Sequence, residues 1–521
     1  MKNRTMKSMK KTIWILALLI LAFSGCNDWL DVSSKTEIPS DVHFSSETGF
    51  KDAAIGVYVK MSKPELYGKA LTWHVNEFVS QNYARVSGAP DLNVLDLRYE
   101  NSPFVSYRNS IWKNCYEVIA NINNILNYEE QNRSVIAPVL DSLVRGEMLG
   151  LRALLHFDLL RMFGKGNLGG RPELLNTPSI PYSLNFNKYA PVQFTYEQFL
   201  GHLKKDIEEA IDYLYVDPIT RRESLDYYLP YVDQSFLATD QYGNNIIDRR
   251  FRMNYYAAQA LYVRILMWEG TAEARGKALT IAENLIKNAY YSWAFENSVM
   301  VKNNEWWKSD LLFQNEHLFT MAVEKFEEYQ THSQGTRNWF DASSPGNTYQ
   351  VVYLTQSKAE EIYETPGIGD SDWRFIYCLL PQGSSRNYYG LVKLRQHPEH
   401  TESYSRMIPM IRITEMYYIA AECRMEAGPD YDKALALEYL NTVRRHRGIA
   451  EAEELPFNLT DQQVKDEIYK EYRKEFVGEG QIFFYYKRKG METIPGYNGE
   501  MTDLEYQYPM PDDEIALGGR I

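Results

Sequence analysis

The reactive side chain with the most telling setting is the thiol of Cys26. Ahead of it stand Lys2, Arg4, Lys7, Lys10 and Lys11, then an uncharged apolar run from Thr12 to Phe23, then Ser24 and Gly25. A basic head, a short oily core and small residues at a cut point make the layout of a secretory signal. The apolar run is shorter than the roughly 20 residues that span a bilayer, which argues against a permanent transmembrane helix. Other spacings lack the context their chemistry needs. Gly164, Gly166 and Gly169 spell GxGxxG, but a dinucleotide-binding turn follows a strand and opens a helix, whereas this one follows a helical run and leads to Pro172. His397 and His400 stand three apart, yet Pro398 breaks the helix that would align them and no third ligand is near, so no zinc site is expected. There is no HExxH and no GxSxG, and the scattered Asp/Glu pairs match a solvated acidic surface. No catalytic residue, metal or cofactor is expected.

Ser24-Gly25-Cys26 resembles a bacterial lipobox, with Phe23 where Leu is more usual. The resemblance implies that the Cys26 thiol accepts a diacylglyceryl group and that its freed amine is acylated. One chain holds a protein to a membrane only marginally, at about 0.8 kcal/mol per buried methylene, so several chains are needed for a stable anchor. Residues 1–25 are the expected signal peptide, and Asp28 and Asp31 follow as an acidic tether.

Bulk composition excludes some partners. The formal charge is −13, and losing the five cations of the signal makes it more negative still. Such a surface repels phosphate backbones, so a nucleic-acid partner is not expected. After Cys26 only Cys115, Cys378 and Cys423 remain, an odd and scattered set that argues against a disulfide framework. With 40 Tyr, 22 Phe and 10 Trp, the chain has more rings than its modest oiliness requires. Tyr and Trp combine an apolar face with a polar edge, which suits core packing and ligand stacking alike.

These groups must be positioned by helices. Ile413, Met416, Tyr417, Ala420, Cys423 and Ala427 recur at steps of three and four, and Gly428-Pro429 supplies a stop with Gly428 at the left-handed position. Asp432 then opens a second helix, with Ala434, Leu437, Leu440 and Val443 on one face. A similar hairpin precedes it, where "NYYAAQALYVRILMWEG" ends at Gly270 and "KALTIAENLIKN" follows. Helix, glycine stop and a second helix beginning Lys-Ala-Leu is the grammar of tetratricopeptide units. Further helices are expected at about 44–61, 106–130, 139–163, 195–214 and 461–478, the last opened by a Thr460/Gln463 capping box. Residues 289–410 lose this period and gain turns, which predicts a loop-rich insertion between scaffold segments at about 44–288 and 411–480.

Six segments in order resemble the SusD/RagB family of outer-membrane nutrient-binding lipoproteins. They are "WLDV" with "GFKDAAIGVY"; "GEMLGLRALLHFDLLRMFG", carrying Gly146, Glu147, Arg152, Ala153, Phe157 and Gly164; "IRITEMYYIAAECRMEAG", with Arg412, Glu415, Ala421 and Glu422; "LNTVRRHRG"; "EYRKEFVGEG", with Glu471, Glu475, Phe476, Glu479 and Gly480; and "YPMPDDEI". His446-Arg447 stands where Arg-Ala is usual and Tyr472 replaces an Arg, departures expected to weaken some of the ion pairs in which Arg412, Glu415, Glu471 and Glu475 join helices. The resemblance implies a mainly α fold, a right-handed superhelix of about four tetratricopeptide-like helix pairs with a loop-rich lobe, spanning 26–521. It also implies a non-enzymatic lipoprotein of the outer membrane that faces the cell exterior as a lid on a SusC-like TonB-dependent barrel transporter, binds glycans and delivers them to that partner.

A glycan-capturing face needs flat rings for the C–H patches of sugars and amides, carboxylates or guanidiniums for the rim hydroxyls. Three segments supply such sets: Trp73 with Asn76, Gln81 and Asn82; Trp306 and Trp307 in "NNEWWKSD"; and Arg337, Asn338, Trp339, Asp341 and Tyr349 in "TRNWFDASSPGNTYQ". Trp339 and its neighbours lead the set, and for every ring a core or loop-anchoring role is the alternative. Peptide capture, an envelope assembly scaffold and a glycan-cleaving lipoprotein are the competing functions. Labelled palmitate should attach to the wild-type chain and not to Cys26→Ala; equal labelling of both would remove the lipoprotein reading.

Overall fold

Helices form where a capping side chain precedes an apolar stripe, and the computed structural model shows them stacked in chain order. It describes residues 39–85, 92–220, 249–331, 338–340, 352–382, 387–400 and 405–520. Cys26, Arg337, Asp341 and Tyr349 lie outside the described residues.

Six helices open the array: α1 (Glu47–Met61), α2 (Ser102–Asn132), α3 (Pro138–Phe163), α4 (Tyr196–Leu214), α5 (Tyr255–Glu269) and α6 (Ala272–Asn288). After a stretch whose longest helix among the described residues is α7 (Gln356–Tyr363), the array resumes with α8 (Ile413–Arg424), α9 (Lys433–Arg445), α10 (Asp461–Phe476) and α11 (Ile482–Lys489). The pairs α1/α2, α3/α4, α5/α6 and α8/α9 pack on one another in that order, and α10 closes against α8 and α9. The expected mainly helical fold of four stacked pairs is therefore present.

Local causes are visible at the ends. Thr195 and Gln198 make a capping box for α4, as Thr460 and Gln463 do for α10. From Gly146 to Phe163 every residue of α3 is buried, because the helix is flanked by α2 on one side and α4 on the other; a helix sealed all round has no solvent face. A Cβ at Gly146 would lie 2.6 Å from Leu214 Cγ, so glycine sets how closely α3 approaches α4. The polar side chains that α3 buries are paired: Arg152 donates to both carboxylate oxygens of Asp206 at 2.7 Å, and Glu147 pairs with Arg249.

Gly270 ends α5 in the left-handed conformation, φ 69°, and the backbone of Gly169 rests on it so closely that a Cβ there would be 2.3 Å from the Gly270 carbonyl oxygen. The GxGxxG string is thus a packing turn. The parallel stop at Gly428 differs from expectation. Helix α8 ends at Arg424, with Met425 donating to the carbonyl of Ala421, and Gly428 has φ 142° in the turn beyond. The hydrogen bond from the Asp432 N–H to the Arg424 carbonyl closes that turn early.

Between α6 and α8 the chain forms short strands. β1 (Pro178–Tyr182) and β2 (Val192–Thr195) pair earlier in the chain as an antiparallel hairpin; then β3 (His317–Ala322), β4 (Tyr353–Thr355), β5 (Leu379–Gln382), β6 (Tyr388–Leu391) and β7 (Met407–Arg412) follow. β3 pairs with β7, and β4, β6 and β5 form a three-stranded antiparallel sheet in that order. A small second core of Ala294, Val299, Trp306, Leu311, Phe313, Cys378 and Val392 lies within this region.

One buried network ties these strands and loops to the helices. Glu475 accepts from Arg374, Arg412 and Arg447; Glu471 from Arg374, Arg444 and Lys474; Glu479 from Arg412 and Lys393; and Glu316 from Arg447, Nη2 to Oε2 at 2.5 Å. All of these side chains are buried. One expectation is corrected here: Arg447 does not weaken the pairing but bridges Glu316 and Glu475. Glu415 joins two helices as expected, pairing with Arg264 of α5 at 2.6 Å. His446 stacks on Trp293 at 4.2 Å.

Burial alone would raise the Glu475 carboxyl, but the guanidiniums of Arg447, Arg412 and Arg374 hold it well below the usual carboxylate range. Its folded pKa is therefore depressed, so its contribution is present above the unfolded value of 4.5 and is lost as pH falls toward the folded value. Glu475→Gln leaves three buried guanidiniums short of charge and should cost about 3–5 kcal/mol in urea unfolding at neutral pH. A loss within experimental error would show that the network is not what joins the strands to the helices.

Candidate functional site

The three expected ring-bearing segments meet very different fates. Trp73 is fully buried, its indole N–H donating to the Gly68 carbonyl at 3.2 Å. Asn76, in the single turn Val75–Phe78, is also buried; its amide donates to Leu71 and its oxygen accepts from the Tyr508 hydroxyl at 3.2 Å. Gln81 and Asn82 are buried as well. The expectation of an open platform at Trp73 and Asn76 is corrected by this: both are buried, Trp73 bonded within the segment that follows α1 and Asn76 to that segment and to Tyr508.

Trp339 is buried too, 3 % exposed. Its ring meets His74 edge-on at 4.7 Å and Trp73 at 6.2 Å, and the Lys69 ammonium sits 4.3 Å over it. Its N–H donates to the Gln330 carbonyl and its own carbonyl accepts from Val352, both at 2.7 Å. Beside it Lys69, His74 and Tyr107 line a small groove of about 240 Å³ with Glu65, Ser106 and Ser110.

Trp306 and Trp307 divide the two roles between them. Trp306 is buried in the second core, with the Arg395 guanidinium 5.2 Å over its ring. Trp307 stands perpendicular to it and is half-buried, stacked on His397 at 3.9 Å with 7° between the planes. Asn303 and Asn304, both left-handed at φ 54° and 61°, turn the chain ahead of the pair, and Glu305 holds Lys308 at 2.7 Å. Trp307 with His397 is therefore a flat aromatic surface set among asparagine, glutamate and lysine on a rigid anchor.

Gln330 connects the two aromatic groups. Its backbone carbonyl accepts from Trp339, its side-chain amide donates to the Leu394 carbonyl at 2.7 Å, and its side-chain oxygen accepts from the Gln396 N–H at 2.8 Å. This fully buried glutamine locks residues 394–397, and with them Arg395 and His397, against the Trp339 turn. Sequence reasoning missed Gln330, Lys69, His74, Tyr107 and Arg395, and weighed His397 only as a metal ligand. No period links positions 307, 330 and 397, so no pattern could have grouped them. Among the described residues no cluster of His, Cys, Asp or Glu could hold a metal ion, and no helix is long and apolar enough to cross a membrane.

Fold and surface together define a helical-repeat scaffold with an aromatic surface carried on an irregular, strand-containing lobe. The sequence model of the SusD family matches residues 380–517, and a SusD-like model described as starch-binding associating with outer membrane matches 28–222. The chain belongs to the SusD/RagB family. Solved structures share its fold at low identity. A SusD superfamily protein from Bacteroides thetaiotaomicron is 19% identical, with a TM-score of 0.65 over 90% of this chain and 98% of that one. One from Bacteroides vulgatus is 21% identical, with a TM-score of 0.64 over 91% and 97%. Surface glycan-binding protein A from Bacteroides thetaiotaomicron is 16% identical, with a TM-score of 0.60 over 92% and 99%. No curated protein matches the chain.

Asp310 underlies the Trp306–Trp307 turn. Both of its carboxylate oxygens accept from the Gln314 N–H, at 3.2 and 3.0 Å, and burial pushes its pKa from 3.8 up to about 7. A carboxyl whose folded pKa is raised adds stability below its unfolded value and loses it as pH rises through the folded one. The melting temperature of wild type should therefore fall relative to that of Asp310→Asn as pH rises from 3.8 to about 7. Parallel curves for the two proteins would contradict the raised value.

Proposed function

We propose that the protein is a lipid-anchored, non-enzymatic binder that captures saccharides at an outer-membrane surface and passes them to a SusC-like TonB-dependent barrel transporter. The observation that carries this is the half-buried Trp307 stacked on His397 within a polar rim, held on a small core of its own. A preorganised ring loses little entropy when a sugar stacks on it, and Asn303, Asn304, Glu305 and Lys308 supply the donors and acceptors that hydroxyls require. Family membership supports the same reading, since one of the two matching descriptions is of starch binding associated with the outer membrane. So does the shared fold with a surface glycan-binding protein. Arg337, Asp341 and Tyr349, neighbours of Trp339 in the sequence, are proposed to extend the surface.

Isothermal titration against a panel of neutral polysaccharides should give heat with at least one. Trp307→Ala should weaken that binding about tenfold, the equivalent of roughly 1.4 kcal/mol, while the melting temperature holds. Heat with peptides and with no glycan would move the protein to peptide capture, and release of reducing ends would show an enzyme.

A further inference from the structure

Away from the Trp307 surface, a cleft of about 570 Å³ opens between the second half of α1, the turn at Arg249–Phe251 and the end of β3. Its charge is the reverse of the molecule's. The chain has 69 Asp and Glu against 56 Lys and Arg. The cleft is nevertheless lined by Lys63, Arg252, Lys325 and Arg406, and Glu324 is the one acid among its lining residues.

These cations are poorly compensated. Lys63 and Arg406 are exposed, and neither side chain has an ion pair with any described residue. Lys325 meets Glu328 at 3.3 Å, but both side chains are more than half exposed, where solvent screens the pair. Arg252 lies with its guanidinium 4.7 Å over the Tyr58 ring and only 4.0 Å from Glu147. That carboxylate is already engaged by Arg249 and by the Tyr58 hydroxyl. Arg252 is thus oriented by an aromatic face with its charge left largely for the cleft.

Arg406 is held in a conformation that costs energy. Its φ is 56°, a left-handed geometry that crowds the Cβ of a side-chain-bearing residue against the backbone. Two bonds enforce it: the Arg406 N–H donates to the Gln396 side-chain oxygen at 3.1 Å, and its carbonyl accepts from Val323 at 2.8 Å. Strain of this kind persists where neighbours over-determine a position, and it collects at binding sites. Between the cations lie the half-buried rings of Phe251 and Tyr329.

We propose that this cleft binds the anionic group of an acidic saccharide, a uronate carboxylate or a sulfate ester, through Arg252 and Arg406, with Lys63 and Lys325 at the rim and Phe251 or Tyr329 against the sugar ring. The proposal rests on the reading that the ligand is a saccharide and adds the class of sugar. A guanidinium's planar fork matches both oxyanions bidentately. A cationic cleft in an otherwise acidic surface concentrates the field on one spot and guides an acidic chain to it. A nucleic acid would need a long basic stripe, whereas this cleft offers four cations among its lining residues.

The test is titration of the full-length lipoprotein with oligogalacturonate, with its neutral methyl ester, and with a sulfated galactan oligosaccharide, at low and high sodium chloride. At least one acidic probe should bind about tenfold or more tightly than the ester, and added salt should erode the difference. Which acidic probe prevails separates carboxylate from sulfate. Arg252→Gln with Arg406→Gln should abolish the preference. Lys63→Gln with Arg406→Gln, both at exposed positions, should reduce it without lowering the melting temperature. Equal affinity for acid and ester, a preference that survives both double variants, or binding of poly-glutamate and no acidic sugar would overturn the proposal. Neutral glycan binding with no acid preference sinks this inference alone. Acid-dependent binding that Trp307→Ala leaves intact sinks only the role of the Trp307 surface.

Discussion

The structure depends on how one helix, α10, satisfies its buried carboxylates. Glu471, Glu475 and the following Glu479 are buried in the interior, and each meets cations supplied from elsewhere in the chain. Arg444 and Arg447 come from the end of α9, Arg412 from the end of β7, Arg374 and Lys393 from the segment between β4 and β7. Removing two charges from water costs several kcal/mol per ion, which is recovered only when geometry and hydrogen bonding are complete. The arrangement is consequently unforgiving, and it holds the irregular lobe in a single orientation against the helical stack. Arg447 shows this best, since it touches Glu475 of the stack and Glu316 just before β3 at once.

That rigidity is what permits an aromatic surface on irregular backbone. Loops normally present rings poorly, because ordering a loop on binding costs entropy. Here Trp306 is sunk into a core of its own, Trp307 stacks on His397, and Gln330 fastens the 394–397 stretch to the Trp339 turn. The same relay continues to Gln396, whose side chain pins Arg406 at the cationic cleft. Buried glutamine side chains, not helices, thereby connect the two surfaces to which binding is assigned.

Much of the scaffold was legible from spacing. Helix starts at Asp432 and Thr460 follow from side chains able to cap backbone N–H groups, and the buried Ile413, Met416, Tyr417, Ala420 and Cys423 of α8 and Leu437, Leu440 and Val443 of α9 follow from stripes at steps of three and four. These are local properties, decided within a turn or two of chain. The stop at Gly428 was misplaced because Asp432 folds back onto Arg424, a contact that sequence spacing does not encode.

The candidate surface was legible only as a list of residue types. Composition and order determined that Trp73, Trp306, Trp307 and Trp339 would matter, and the family motifs determined the helical array that carries them. Tertiary structure alone decided that Trp73 and Trp339 face each other and His74 in the interior while Trp307 stays half-open. The physical reason is that a tryptophan's chemistry suits burial and stacking equally well. Which one occurs depends on neighbours brought from tens or hundreds of residues away, as with Glu475, whose partners Arg374 and Arg412 no sequence window places beside it.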